Sequence, residues 1–379
     1  MRAMQMNGLV ISRRAQHADQ ALTLAERVRH HPLRWFYAIA VGIAALLWTY
    51  AIIHQVLWPD YAGPGVPLGD YYYGERAKAA AEHPYLAAHS DGVPLQLLGY
   101  WQVPQVAAFL FFPGAPTVAA LLVVAIGWGR RGLGALLSLY RPILGQQGWR
   151  EGLRLYATLL LMIAGVAGLC AVISILTFGD AARDAVLSSF GVQSLGIFFS
   201  AWGIALFMNQ GGLLEELGWR GFASPYLARK LANPLTAALV LGTLWALWHF
   251  PREIPLLLTG QNTIPNLLLG QALFIVTCCA MTIVAVYFVN LSGGSVWPAI
   301  IVHGSLNMLY GAFKLKGDGS GGAGNIYNHS IWVWLIAAAL VLLIAGRDLA
   351  WSVRLKLHGG DGRTDPSRLW SSKDNTDAA

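Results

Sequence analysis

The sequence has few charged side chains: Asp, Glu, Lys and Arg make up 12% of its 379 residues, against roughly 25% in a soluble globular protein. Hydrophobic residues make up 56% of the chain, and the mean hydropathy is +0.50. So little charge excludes an ordinary soluble domain and indicates an integral membrane protein.

Cysteine is also scarce. The three cysteines, Cys170, Cys278 and Cys279, all lie inside apolar runs. Neighbouring cysteines on one helix point in different directions, so the pattern predicts small core residues and neither a disulfide framework nor a metal cluster.

Long apolar runs, in contrast, are abundant. A helix needs about 20 residues to cross about 30 Å of hydrocarbon. Candidate runs lie near 34–57, 103–128, 153–177, 193–210, 212–227, 234–250, 265–291, 296–312 and 330–346. The two runs on either side of Gly211-Gly212 are weak as separate spans. The sequence therefore predicts an all-α, polytopic transmembrane helical bundle with about eight spans.

The basic residues indicate how the bundle is oriented. They cluster in the N-terminal arm, in segment 129–154, at Arg229 and Lys230, and after Arg347. The positive-inside rule makes these segments cytoplasmic and places both termini inside. The net charge of +7 then indicates membrane lipid as a partner and no nucleic acid. The high Ala, Gly, Leu and Arg content favours a bacterial plasma membrane.

These signals divide the chain into five parts. We expect a cytoplasmic N-terminal arm (1–33), N-terminal transmembrane helices with an extracytoplasmic surface loop at 59–102 (34–192), a catalytic core (193–312), a last loop and transmembrane helix (313–348), and a polar cytoplasmic tail (349–379). The tail from Gly359 onward is rich in Ser, Asp and Gly and is predicted to be disordered.

Charged residues inside an apolar run are the most informative feature. "GGLLEELGWRGF" at 211–222 contains Glu215, Glu216 and Arg220. Charge at membrane depth is costly and is kept mainly where it has a function. Residues four apart share a helix face, which predicts that Glu216 pairs with Arg220. Glu215 points elsewhere and is left available for chemistry.

Two histidines lie in neighbouring runs. His303 and Asn307 are four apart, so both side chains can reach one small target. His249 ends its helix because Pro251 cannot continue it, and Trp245 can pack against its imidazole. Taken singly, an intramembrane His or Asn also fits a structural hydrogen bond between helices. Because charge inside a membrane is costly, a purely structural role is less favoured for Glu215 and Glu216.

These three motifs resemble those of the CPBP (CAAX protease and bacteriocin-processing, or Abi) intramembrane endopeptidases. The usual family forms are Glu-Glu-x-x-x-Arg, Phe-x-x-x-His and His-x-x-x-Asn or Asp. Here they read "EELGWR", Trp245-x-x-x-His249 and His303-x-x-x-Asn307, in the expected order over residues 195–312. Trp245 replaces the usual Phe.

The resemblance implies a CAAX-protease-like helical fold and peptide-bond hydrolysis of membrane-associated substrates, either prenylated CAAX-type proteins or other peptides. It makes Glu215 the base that activates water, His249 the group that holds or polarises this water, and His303 with Asn307 the oxyanion stabilisers. Glu216 and Arg220 are then supporting residues.

The family is described both as metalloproteases and as metal-free, glutamate-dependent enzymes. Glu215, His249 and His303 could hold zinc with one position open for water. However, there is no His-Glu-x-x-His motif, and with Glu215 as a ligand the base would have to be Glu216, which Arg220 occupies. Glu215 is slightly favoured as the base, and the choice between zinc and no metal stays open.

Two other functions compete with this one. A proton-coupled transporter would also bury Glu and His, but it predicts inverted repeats and polar groups over the full membrane depth; no repeat is evident. A catalytically silent immunity or scaffold protein of the same fold is the second alternative, against which the presence of all motif residues argues. The oligomeric state cannot be read from the sequence.

Overall fold

The computed structural model describes residues 22–180, 194–258, 262–312 and 329–371, together with the single positions 183, 184, 187, 191 and 260. The regular structure in these ranges is helical, which confirms the all-α prediction. The helices are α1 (Leu24–His30), α2 (Pro32–Leu57), α3 (Leu68–Glu82), α4 (Val93–Gln102), α5 (Phe111–Ser138), α6 (Trp149–Phe178), α7 (Leu195–Phe207), α8 (Gln210–Glu216), α9 (Ser224–Leu231), α10 (Pro234–Trp248), α11 (Ile254–Leu258), α12 (Ile264–Leu291), α13 (Trp297–Ala312), α14 (His329–Ala345), α15 (Trp351–Leu357) and α16 (Arg368–Ser371).

Five of these segments are long and apolar enough to cross a membrane: those of α2, α5, α6, α12 and α14. The chain is therefore an integral membrane protein. The runs predicted near 193–210, 234–250 and 296–312 form helices of 13, 15 and 16 residues, shorter than the roughly 20 residues of a full span. The run 212–227 is divided among α8, a π-helical segment (Leu217–Ala223) and α9. Among the described residues, the structure therefore has five long apolar spans and further, shorter apolar helices where the sequence predicted about eight spans.

An aromatic core connects α2, the π-helical segment and α10. Phe36 meets Trp219 edge-on with ring centroids 5.2 Å apart, and Trp219 meets Trp248 at 5.9 Å. The Trp248 indole also donates to the carbonyl of Ala40 (3.0 Å). Such aromatic contacts bury large areas in defined orientations, so they fix the end of α10, where His249 follows.

One end of the bundle, which we call the basic face, gathers α1, segment 139–154, the end of α9, and residues 346–371. Leu144 N donates to Ser292 O (3.1 Å), and Gln146 N donates to Leu357 O (2.9 Å). The ring nitrogen His358 Nε2 bonds Gly293 O (2.8 Å). Segments distant in sequence are therefore packed together at this end.

The prediction of a disordered tail from Gly359 is wrong for the part that the structure describes. Asp365 is buried and binds Arg354 (2.8 Å) and Arg229 (3.0 Å). Trp370 is fully buried and donates to Phe222 O (3.3 Å). The polar composition of the tail suggested disorder because composition does not show that Asp365 pairs with basic residues that lie outside the tail. Residues 372–379, 1–21 and the predicted loop at 313–328 lie outside the described residues.

Replacing Asp365 with Asn is expected to release this tail. Burial alone would raise the pKa of Asp365, but Arg354 and Arg229 outweigh burial and hold it well below its ordinary 3.8. The stabilisation is therefore present above pH 3.8 and is lost as the pH falls through the pKa of Asp365 in the folded protein.

At neutral pH, Asp365→Asn leaves two partly desolvated arginines without their carboxylate. Limited proteolysis should cut 359–371 faster in Asp365→Asn than in Asp361→Asn, which removes only an exposed ion pair of the same tail. Equal cutting of the two variants would contradict this.

The opposite end, which we call the cavity face, carries segment 59–102. It was predicted as a loop, but it contains α3 and α4 with a small core of its own around Leu68, Tyr72 and Val103. The segment is fastened to the break between α7 and α8: Val93 N donates to Met208 O (2.8 Å) and Gln210 N donates to Asp91 O (2.9 Å). It therefore forms a wall next to the candidate site.

Candidate active site

A helix break at Met208–Asn209, just before Gly211-Gly212, directs the Glu pair inward. α7 ends at Phe207, and Asn209 caps α8 by accepting a hydrogen bond from Gly212 N (3.1 Å). An Asn cap satisfies the free N–H groups of a helix start inside the protein. The π-helical segment that follows is entirely buried and contains Arg220; π-helical turns are frequently found at functional sites.

Glu216 is the centre of the buried charge cluster. Its Oε1 accepts hydrogen bonds from Arg220 (2.9 Å) and from His303 Nδ1 (2.7 Å). Arg220 also donates to Thr282 Oγ1 (2.8 Å), and its guanidinium lies 4.6 Å from the centre of the Trp245 ring. Glu216 and Arg220 are both fully buried. The predicted pairing of Glu216 with Arg220 is confirmed, and Glu216 also holds His303.

Glu215 points away from that cluster and lines a cavity of about 470 Å³. Its Oε2 accepts a hydrogen bond from Trp245 Nε1 (2.7 Å). The sequence predicts only a packing role for Trp245, whereas the structure shows that its N–H, which a Phe at this position would lack, is a hydrogen-bond donor. Because a charge-assisted bond of this kind fixes geometry, Trp245 orients the carboxylate.

Both histidines lie against the same indole. The Trp245 ring centroid is 5.7 Å from that of His249 and 5.0 Å from that of His303. His249 Nδ1 bonds Trp245 O (2.9 Å), and a carbonyl only accepts, so this nitrogen carries the proton. Glu215, His249 and His303 all line the same cavity. The three motifs are thus brought together in one place, as expected.

Asn307 is held by a second chain of polar groups. Its Nδ2 donates to Asn209 Oδ1 (3.0 Å), and Asn209 Nδ2 contacts His89 Nε2 (3.1 Å). The sequence did not predict Asn209 and His89 as site residues, and His89 lies in the segment that was predicted to be a surface loop. Asn307 and Asn209 are 98 positions apart, and Asn209 and His89 are 120 apart, separations at which sequence spacing carries no signal.

Gly211 gives His303 and Asn307 a shared space. A Cβ at Gly211 would stand 2.6 Å from His303 Nε2 and 3.2 Å from Asn307 Nδ2. The two nitrogens therefore converge on the space beside the Gly211 backbone, and only a residue without a side chain leaves that space open. The prediction that they can reach one small target fits this arrangement.

Gly211→Ala should disable the site while the bundle stays folded. The added methyl would displace His303, Asn307 or both, and a misplacement near 1 Å can cost about 100-fold in rate. The measurement is peptide cleavage together with thermal unfolding in detergent. Gly203→Ala is the matched control, because a Cβ there meets nothing within 4 Å. Full activity of Gly211→Ala would show that the convergence has no role.

The predicted metal ligands do not assemble as a metal centre. Within the described residues, no group of three or more His, Cys, Asp or Glu side chains is placed to hold an ion. His303 Nδ1 is bound to Glu216, His249 Nδ1 to a carbonyl, and Glu215 Oε2 to an indole. These bonds use Nδ1 of each imidazole and Oε2 of Glu215, so they do not engage Nε2 of either histidine or Oε1 of Glu215, and the choice between zinc and no metal stays a prediction.

The prediction of core cysteines is confirmed for Cys170 and Cys278, whereas Cys279 is only partly buried. All three are free, with Cys170 and Cys278 buried.

Comparison with known proteins supports the motif-based resemblance. Residues 197–309 match the family model described as Type II CAAX prenyl endopeptidase Rce1-like. The match covers less than a third of the 379-residue chain. A search of curated proteins found no match. The matched segment contains Glu215, Glu216, Arg220, Trp245, His249, His303 and Asn307. Residues 197–309 are therefore similar to the Rce1-like CAAX endopeptidases, in agreement with the resemblance that the three motifs indicate.

Proposed function

We propose that this chain is an active intramembrane endopeptidase in which Glu215 is the general base. One observation carries the proposal: a buried carboxylate, 3% exposed, lies in a cavity beside two imidazoles and is oriented by an indole N–H. Irregular helix at membrane depth is tolerated where it lines a water-filled cavity, and the break before α8 fits this condition.

In this mechanism, His249 binds the attacking water. Its Nδ1 proton is used in the bond to Trp245 O, so in the neutral ring Nε2 has a free lone pair that accepts a hydrogen bond from water. Glu215 takes the other proton of this water as the oxygen attacks the peptide carbonyl. The C–N bond then breaks, and the proton held by Glu215 passes to the leaving amine.

His303 and Asn307 stabilise the oxyanion. An oxyanion needs hydrogen-bond donors, and the amide Nδ2 of Asn307 is one. His303 can donate from Nε2 only as an imidazolium, because its Nδ1 proton bonds Glu216. In that state the two carboxylates, Glu215 and Glu216, balance the charges of Arg220 and His303. After proton transfer to Glu215, the oxyanion takes over the negative charge opposite His303.

The proposal is tested with protein purified in detergent and a panel of prenylated and unmodified peptides. Cleavage of at least one peptide, with products identified by mass spectrometry, is expected. If a folded protein cuts none of a wide panel, the silent immunity or scaffold function gains support. The hydrogen bonds that tie the polar groups to one cavity favour a hydrolytic site over a proton-coupled transporter.

Cleavage should survive metal depletion. No step above passes through a metal, and among the described residues Glu215, His249 and His303 are not grouped to hold an ion. Activity is to be compared before and after chelation, with metal content checked by elemental analysis. Loss of activity on depletion and recovery with zinc, but not with other divalent cations, would instead place zinc on the histidines.

A further inference from the structure

Among the described residues, those at the mouth of the candidate active site lie at one end of the bundle. Phe112 and Pro113 at the start of α5, His249 after the end of α10, Asn266 in the first turn of α12, and Asn307 in the last part of α13 all line the cavity. Asp91 of segment 59–102 lines it as well. Each of these positions lies at the cavity face.

Most of the described Lys and Arg residues lie at the other end of the bundle, the basic face. In α5, Trp128 is 15 residues beyond Pro113, or about 22 Å at 1.5 Å per residue, and Arg130 follows the non-helical Gly129 directly after it. The bases of the basic face and its flanking helix ends are Arg27, Arg29, Arg34, Arg130, Arg131, Arg141, Arg150, Arg154, Arg229, Lys230, Arg347, Arg354, Lys356, Arg363 and Arg368. On the cavity side, the described bases are Arg76, Lys78, Arg183 and Arg252.

This asymmetry fixes the side from which a substrate must arrive. By the positive-inside rule, the end richer in Lys and Arg lies in the cytoplasm. We infer that the active-site cavity opens to the extracytoplasmic side, and that its substrates are membrane-bound polypeptides whose cleavage site lies on that side. This inference rests on the proposed protease function. A prenylated C terminus in the cytoplasm would lie across the membrane from the cavity.

A second cavity supports a polypeptide substrate. It has a volume of about 510 Å³ and is lined by Tyr50 of α2, Tyr72 of α3 and Tyr100 of α4. Asp91, Phe112, Pro113 and Gln210 line both cavities, so the two adjoin. The rings of Tyr72 and Tyr100 are stacked with centroids 5.7 Å apart. Segment 59–102 thus extends the site into a groove longer than the scissile bond alone requires.

Cysteine labelling tests the orientation without depending on activity. Cys170 and Cys278 are buried, so Cys279→Ala provides a background in which an introduced cysteine is the one accessible to reagent in bacterial spheroplasts. A membrane-impermeant maleimide should modify Asn266→Cys at the cavity mouth, and should modify the exposed Trp149→Cys on the basic face only after permeabilisation. Tyr73→Cys, at an exposed position of α3, reports the same side if position 266 is too enclosed to react. Modification of Trp149→Cys, with protection of Tyr73→Cys, would overturn the inference.

Sealed vesicles then test the substrate side. A membrane-impermeant quenched peptide that the detergent-solubilised enzyme cleaves should be cut by right-side-out vesicles and not by inverted ones, with the difference removed by detergent. Cutting only by inverted vesicles would overturn the inference and leave the protease function intact. If no peptide is cleaved even in detergent, the proposed function fails, and the labelling still decides the orientation.

Discussion

Glu215→Gln is expected to lower kcat by about 100- to 10,000-fold, the usual contribution of a positioned general base. The amide keeps the size of the carboxylate, and its oxygen can still accept the hydrogen bond from Trp245 Nε1 that Glu215 accepts at 2.7 Å. The substitution therefore removes the basic group and preserves the packing. Single-turnover cleavage of the best peptide measures the chemical step, and KM should change little if Glu215 acts on water and not on substrate binding.

A matched control is available on the basic face. Glu151 lies in the first turn of α6 and is exposed, so Glu151→Gln makes the same chemical change far from the cavity and should retain full activity. Unfolding temperatures of both variants should match that of the parent protein. If Glu215→Gln is folded and cleaves as fast as the parent, Glu215 is not the base.

The site features that the sequence predicted best are those set by local geometry. The Glu216–Arg220 pair and the common face of His303 and Asn307 follow from the four-residue spacing of a helix. The end of α10 before His249 follows from Pro251, which cannot continue a helix. Each of these inferences needs only a few consecutive residues, and for this reason it does not depend on the tertiary fold.

The contacts that the sequence did not predict join distant segments. Glu216 also bonds His303, 87 residues away, and Glu215 bonds Trp245, 30 residues away. Neither follows from spacing, because both depend on how α8, α10 and α13 pack. The same limit explains the tail: Asp365 looked solvated by composition, but its partner Arg229 lies 136 residues earlier.

The span count shows another limit of composition. α7, α10 and α13 are as apolar as membrane helices, yet they have only 13 to 16 residues. Hydropathy does not distinguish a buried core helix from a lipid-facing one. Short and long apolar helices are distinguished by their length and by the positions of N-terminal caps such as Asn209 and Asn233. Each of these caps accepts a hydrogen bond from the first turn of its helix.

Arg220→Met should destabilise the protein more than the other substitutions considered above. It leaves the fully buried carboxylate of Glu216 without its guanidinium partner, and breaking one side of a buried ion pair typically costs about 3–5 kcal/mol. It also removes the donor to Thr282 Oγ1 and the cation above the Trp245 ring. A marked drop in the unfolding temperature in detergent is the expected result.

The double variant Glu216→Gln/Arg220→Met separates the charge effect from lost packing. Removing both members of a buried pair is often close to neutral, and the amide oxygen introduced by Glu216→Gln can still accept a hydrogen bond from His303 Nδ1. The double variant should therefore be clearly more stable than Arg220→Met alone. Its cleavage rate should nevertheless stay low, because His303 would no longer have a carboxylate opposite its imidazolium. A double variant as unstable as Arg220→Met would mean that Arg220 supports the fold through its contacts with Thr282 and Trp245, and that pairing with Glu216 contributes little.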